Sequence, residues 1–473
     1  MLGRLLVFLL CFAAASFATE GARLAAELRE AALDDAECYR IRDFSFQRGD
    51  ASFYLTDGYL ILGRPIGGRV VLAAFYAPET INDAEILLRP PDQGERASLA
   101  ASTGSPNLNE HFRQALFVVT DGSLERWRTQ LLESPLTRRD PEMGLLLNSR
   151  FATVARNLGA SFEVRLVHDL LNPDPETGMF YAAISGLRLG NFDFFHDPTA
   201  REEIVLGAVN SQPVGPGFNI WASFESRARQ RDRNGPPAFG KLTDFRIEAT
   251  VHEDLRLEAR TRVAWIPARP IQGALSFEIA PEMEIAGALL DGRPVEVFRR
   301  ESFRAKLIGG NGNDPFIVVL PEPMTPGRRY EFEFTHAGRV IRDAGNSVYF
   351  VGARTNWYPA RGLDFGEFDL RFRVPARLQL VATGDLVNET VEGEWRTVHR
   401  RAASPVRLAG FNLGEYDKLA IQRAGLSVEV FANLRAEAAL QPRQRAVILP
   451  APPYPVRGAG PRQIGRASCR ERV

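Results

Sequence analysis

Apolar and polar positions along this chain change period twice, and the changes divide it. From Ala22 to Glu37 the apolar residues recur at the spacing of an amphipathic helix. Short β-type runs follow, YRIRDFSF, SFYLT, GYLILGRPIGGRVVLAAFY and AEILLRP, separated by Gly, Asp and Pro. Helical spacing returns in SLERWRTQLLESP and PEMGLLLNSRFATVARNLG. It then gives way to the runs SFEVRLVH, MFYAAISGL, NFDFFHD and REEIVLGAV, which are expected to be strands. Residues 19–224 therefore read as an α+β amino-terminal domain. Residues 225–240, with ESRARQRDRNGPP, read as a solvated linker closed by Pro236 and Pro237.

From Lys241 the pattern is almost purely β. TDFRIEATVHEDLRLEARTRVAWIPA alternates over a long span, as one half-buried strand or as two meeting at a bend from His252 to Leu255. Many short runs follow, with turn signals at Asp291 and Gly292 and at Pro326 and Gly327. Residues 241–432 are expected to form an antiparallel β-sandwich or saddle, so the fold class is mainly β. Beyond that, residues 433–463 lose periodicity. Six prolines between Pro442 and Pro461 exclude a helix, leaving a linker or an out-of-frame segment.

The charge balance removes some function classes. With 58 basic and 58 acidic residues the net charge is zero, and no global field steers the chain toward nucleic acid or an anionic membrane. The first 18 residues carry Arg4, an apolar run from Leu5 to Ala15, and small residues at Ser16 and Ala18. That is the layout of a secretory signal, so the chain is expected to be exported, to a periplasm or the extracellular space. The run falls short of the ~20 apolar residues that span a bilayer, and no later segment is expected to cross one. Of three cysteines only Cys38 lies in the body. It reads as a small buried hydrophobe.

Candidate chemistry is sparse. The six histidines do not cluster. His252 opens VHEDLR, which imitates a zinc-protease H-E-x-x-H helix, but that motif needs a second imidazole one turn on and the position holds Arg256, a cation. The loop Gly309 to Asp314 lacks the Lys-Ser/Thr ending of a phosphate cradle. Leu171 to Gly178 offers oxygen ligands at no EF-hand spacing and reads as a Pro-rich turn. His196, Asp197, Glu202 and Glu203 form a local cluster without a partner, and no G-x-S-x-G elbow occurs. No catalytic or metal-ligating residue is assigned.

The second half nonetheless resembles the amino-terminal β domain of the gluzincin aminopeptidases, the family of membrane alanyl aminopeptidase and leukotriene hydrolase. RRYEFEFTHAGRVI, SVYFVG, NWYPARG, EFDLRFRVP, LQLVATGD and FNLGEYD stand in the family's order. The anchors are Gly338, Trp357, Tyr358, Pro359, Val374, Pro375, Ala382, Gly384, Phe411, Gly414 and Tyr416, all turn formers or core residues. The segment Phe44 to Pro91 is similar to an extra domain preceding it in some bacterial members.

The resemblance implies a zinc peptidase whose metal, general base and peptide site lie in a later helical domain. No H-E-x-x-H or G-x-M-E-N motif follows Ala432. The expectation is an inactive amino-terminal portion, cut off before the catalytic domain that would be its partner, with zinc only in the intact parent. Residues 464–473 resemble a translated sequencing adapter. The alternative is a complete exported β-rich binding or scaffold protein without enzymatic activity.

Overall fold

The computed structural model describes residues 19–78, 83–212, 215–232, 238–300, 302, 312–352, 355–362, 365–423 and 426–433. The expected signal, residues 309–311 of the Gly-rich loop, all but Asn433 of the segment 433–463, and the tail lie outside the described residues. The chain is mainly β. One compact unit runs to Glu415 and a second starts at Tyr416.

The first half of the larger unit contains α1 (Glu20–Arg29), β1 (Leu33–Arg48), β2 (Ala51–Gly63), β3 (Leu72–Tyr76), β4 (Ala84–Leu88), α2 (Gln93–Thr103), β5 (Leu108–Val119), α3 (Ser123–Glu133), β6 (Arg138–Arg139), α4 (Pro141–Ser161), α5 (Glu163–Leu171), β7 (Phe180–Gly186), β8 (Asn191–His196), β9 (Ile204–Gln212), β10 (Gly215–Phe224) and α6 (Arg227–Asp232). Its strands make one antiparallel sheet in the order β10-β9-β8-β7-β5-β3-β2-β1-β6. The lane between β2 and β5 is filled end to end by two short strands, β3 and β4.

Alternation along β2 explains the layering. Phe53, Leu60 and Leu62 face α2 and α3, where Phe46 stacks on Phe53 with centroids 4.7 Å apart and Trp127 closes over Phe117. Ile61 points the other way, with Cys38 and Val118, to Leu24 and Leu28 of α1, Phe151 of α4 and Val167 of α5. The result is a helix, sheet and helix sandwich. Cys38 is fully buried, and burial pushes its thiol pKa up to about 12, so it packs as a hydrophobe.

Four elements differ from the sequence expectation. The first helix ends at Arg29, because Leu33 is fully buried and pairs with Gly63 in the sheet. SFEVRLVH is helix α5, not a strand: Val164 and Val167 share a helix face, and Arg165 meets Asp169 at the i,i+4 spacing of a helix. Helix α2 was not anticipated. The stretch read as a linker opens with α6, where Arg227 reaches Asp50 at 3.0 Å and Arg229 reaches Glu203 at 2.5 Å.

The second half contains β11 (Gly240–Val251), β12 (Leu257–Pro267), β13 (Ala274–Ile279), β14 (Met283–Leu290), β15 (Arg293–Val295), β16 (Val297–Phe298), β17 (Asp314–Val319), β18 (Tyr330–Gly338), β19 (Arg342–Gly345), β20 (Val348–Phe350), β21 (Phe368–Pro375), β22 (Gln379–Ala382), β23 (Asp385–Glu392), β24 (Trp395–Arg401) and β25 (Phe411–Gly414). An eight-stranded sheet, β15-β14-β18-β12-β11-β21-β24-β23, packs its inner face against the sheets β13-β17-β16 and β19-β20-β25-β22. Only the β11 and β21 pair within it is parallel. The long alternating run is two strands that meet at the His252–Leu255 turn, where Leu255 adopts φ 64°. The second unit is described by the hairpin β26 (Asp417–Arg423) and β27 (Leu426–Ala432).

Helix α5 lies at the seam between the two halves. Ala274, Phe298 and Ile317 of the sandwich share a core with Val164 and Val167. Ser302 Oγ accepts a hydrogen bond from the Val164 amide at 3.2 Å, near the start of the helix. At the other end the Asn172 side chain accepts from the amides of Gln272, Gly273 and Ala274, at 3.1, 2.9 and 3.3 Å, and donates to the Ala274 carbonyl at 2.8 Å. Asn172→Ala leaves those groups without their partner. We expect a loss of about 1–3 kcal/mol in urea unfolding. An unchanged midpoint would show that the clasp does not hold the seam.

Candidate functional site

The outer face of the eight-stranded sheet is lined with charged residues. It follows from the pleat: on β11 the inward residues are Phe245, Ile247, Ala249 and Val251, so Arg246, Glu248 and Thr250 must face out. The same logic exposes Glu258, Arg260 and Arg262 on β12 and Asp369, Arg371 and Arg373 on β21. Register assembles them into rows. One runs Glu333, Arg262, Arg246, Asp369, Arg401, and the next Thr335, Arg260, Glu248, Arg371, His399.

Small outward residues beside these rows leave a trough of about 680 Å³ over Thr250, Ala286, Thr335, Ala337 and Thr397. A neighbouring hollow of about 380 Å³ lies among Arg246, Arg260, Arg371 and Arg401. Arg262 holds Glu333 at 2.6 Å, and Asp369 takes Arg401 at 2.7 Å and His399 at 2.9 Å. Partial burial works to raise the Asp369 pKa, but the Arg401 and His399 hydrogen bonds outweigh it and hold the carboxyl below its usual range. Arg373 lies over the Trp395 ring at 4.1 Å. This surface can grip charged groups. It presents no nucleophile paired with a base.

Beneath the face, His336 of β18 is fully buried and its Nε2 lies 2.9 Å from Thr261 Oγ1. Its Nδ1 meets no hydrogen-bond partner among the described residues. Burial drives its pKa down to about 3.

A second polar cluster is internal to the first half. Arg165 spans Asp169 (2.9 Å), Asp197 (2.5 Å) and the Thr177 carbonyl (2.8 Å). Thr120 donates to Asp169 at 2.6 Å, and His168 Nδ1 sits 2.9 Å from it. Burial opposes both charges, yet each partner more than offsets the penalty. The Arg165 pKa is raised, and the Asp169 carboxyl is held at about 2. Every strong donor here is spent on an acceptor, so the cluster is structural. The cluster is not legible in the sequence, where SFEVRLVH reads as a strand that would place Arg165 and Asp169 on one face but out of contact.

The motifs set aside in the sequence find ordinary structural uses. His252 begins a turn, donating its amide to the Arg256 carbonyl, and its Nε2 lies 3.3 Å from Glu258. Asp174 accepts from the Glu176 amide and pairs with Arg269. Burial lowers the His196 pKa, while Asp197 binds Arg165, Glu202 accepts from Ser223 and Glu203 binds Arg229. Among the described residues no three His, Cys, Asp or Glu side chains are grouped to hold a metal. No helix among them is long and apolar enough to cross a membrane.

The family anchors lie in the packing. Trp357 is buried edge-on against Phe411 at 5.2 Å and Tyr358 at 5.1 Å, its indole donating to the Ala409 carbonyl at 2.7 Å. Tyr358 OH accepts from the Ala409 amide, and burial lifts its pKa to about 12. Pro359 is buried beside them. At Gly338 a Cβ would stand 2.0 Å from the Glu282 carbonyl oxygen. Gly384, at φ 90°, faces the Arg401 backbone. Val374 and Pro375 end β21 and Ala382 ends β22, while Gly414 pairs with Val348 and Gln379. Tyr416, in the second unit, meets Phe431 at 6.2 Å.

No family model matches the chain, and no curated protein matches it. Among solved structures, the M1 zinc metallopeptidase from Deinococcus radiodurans is 16% identical with a TM-score of 0.32, over 41% of this chain and 48% of that one. A mutant of an M1 zinc metallopeptidase from the same organism, bound to a Tyr-Ser-Ala substrate, gives 16% and 0.32 over 40% and 46%. A two-domain M1 zinc metallopeptidase mutant bound to L-arginine gives 16% and 0.32 over 41% and 48%. The chain thus spans less than half the length of these structures. Likeness at this level bears on neither activity nor ligand.

The buried imidazole sets a pH dependence. Its folded pKa, about 3, lies below the ~6.5 of an exposed histidine. The stability it permits is complete above that value and is lost as pH falls toward 3, because the unfolded chain binds the extra proton. Unfolding free energy should therefore fall more steeply through this window in the wild type than in His336→Leu. Parallel curves would contradict it.

Proposed function

We propose that this chain is the non-catalytic amino-terminal portion of an exported, zinc-dependent aminopeptidase-like protein. Peptide hydrolysis belongs to a further domain of the same polypeptide. The observation that carries the reading is the convergence of resemblance-bearing residues on one packing cluster. Trp357, Tyr358 and Phe411 come from separate sequence motifs, yet they enclose a shared core around the Ala409 backbone. Those motifs specify a β-sandwich.

The second unit supports the partner. In its hairpin, Leu419 pairs with Val430 and Ile421 with Val428, and all four side chains are about half exposed or more. An isolated two-stranded hairpin with a bare apolar face is marginal in water. A following catalytic domain would supply the cover.

The described residues do not fit zinc. The nearest approach to its motif puts a guanidinium, Arg256, where the second imidazole would stand, and folds it as a turn rather than a helix. No step of hydrolysis is assigned to this chain.

The purified chain should bind zinc well below stoichiometry and release no arylamine from aminoacyl arylamides. It should bind an environment-sensitive hydrophobic dye, and Leu419→Ser with Val430→Ser should reduce that signal. Chelator-sensitive hydrolysis would overturn the non-catalytic assignment. Dye binding unchanged by the double substitution would remove the argument for a covering domain and favour a complete scaffold protein.

A further inference from the structure

The charged face of the eight-stranded sheet has an internal conflict. Arg246 stands directly opposite Arg262 across the β11 and β12 pair. Like charges in opposed positions destabilise a sheet unless a third group intervenes. Arg262 has its own partner, Glu333. The neighbour of Arg246 on the other side is Asp369, in parallel register on β21. That carboxylate is already occupied by Arg401 and His399, with Arg371 at 3.9 Å. Among the described residues Arg246 has no ion pair.

The surplus is local. Five arginines, Arg246, Arg260, Arg262, Arg371 and Arg401, line the smaller hollow against two acids, Glu248 and Asp369. The whole chain, by contrast, has zero net charge. Such a concentration of one sign in a concave surface is not an average property of the composition. Arg260 and Arg371 are each more than half exposed, at 52% and 59% of the side chain, and each makes only a long ion pair, Arg260 with Glu333 at 3.4 Å and Arg371 with Asp369 at 3.9 Å. A guanidinium binds a carboxylate through two parallel hydrogen bonds.

We propose that this face binds an acidic polypeptide segment, with Arg246 and Arg371 gripping its side-chain carboxylates. The interleaved acids select the class of partner. Glu248 lies between Arg260 and Arg371 on adjacent strands, and Glu258 borders the trough. A densely charged polyanion would press phosphates or sulfates against these carboxylates. An extended peptide meets the same stripes with carboxylates over the arginines and amide N–H groups over the glutamates. The trough floor of Thr and Ala residues leaves room for its backbone. The inference does not depend on the proposed function, since it concerns binding by this chain alone.

The test is fluorescence anisotropy of a labelled Asp/Glu-rich peptide of about ten residues with the full chain, a length that spans the face when extended. Binding should weaken about tenfold or more in Arg246→Gln with Arg371→Gln, as expected when charge-assisted pairs are removed. It should also weaken as salt rises. Thermal melting should hold or rise in Arg246→Gln, since the repulsion from Arg262 is relieved; this reports that the variant is folded. Absence of binding at low salt would overturn the proposal. So would equal binding by the double variant, or tighter binding of heparin or RNA than of the acidic peptide.

Discussion

Helix α5 has Arg165 near its start and Asn172 just past its end, and these two side chains hold different parts of the molecule. Arg165 draws in the carboxylates of Asp169 and Asp197 and the Thr177 carbonyl, fixing the helix against the ten-stranded sheet. Asn172 closes on the backbone of residues 272–274, fixing the same helix to the sandwich. Between them Val164 and Val167 share a core with Ala274, Phe298 and Ile317. Removing one partner from a buried ion pair costs far more than the pair itself gains, so the Arg165 cluster behaves as an all-or-none constraint. Helix α5 is thus bound to both halves at once, and the Asp174–Arg269 ion pair adds a further link between them.

The sandwich meets a different constraint. The central strands of its eight-stranded sheet bury one face, with Phe332, Phe334 and His336 on β18 and Phe368 and Phe372 on β21 among the interior residues, while the edge strand β23 is exposed throughout. Alternation along β11, β12 and β21 then turns the intervening charged residues toward solvent. The arginine and glutamate rows are the other half of the same pattern. Their cross-strand order is fixed by register, which is why Arg246 meets Arg262 and cannot move to a better neighbour.

Alternation of this kind is readable in sequence, and the β-rich second half follows the pattern from Lys241 onward. The buried Trp357 and Tyr358 could be recognised as core anchors because NWYPARG resembles a turn of the aminopeptidase β domain. Helix α5 could not. Its β-branched valines and short length imitate a strand, and the contacts that hold it as a helix, the Arg165 pair with Asp197 and the core shared with Ala274 and Ile317, are distant in sequence. The same applies to Leu33, whose helical spacing is overridden by pairing with Gly63. Surface charge was equally opaque: a net charge of zero conceals the hollow in which five arginines face two acids, because that excess exists only after strands far apart in sequence are aligned.

The two halves form one compact unit up to Glu415, and α5 joins them, so they are expected to unfold as one cooperative body. Scanning calorimetry of the full chain tests this most directly. It predicts a single transition for that body, with the calorimetric enthalpy equal to the van't Hoff enthalpy. Two resolved transitions, one for the ten-stranded sheet with its helices and one for the sandwich, would contradict it.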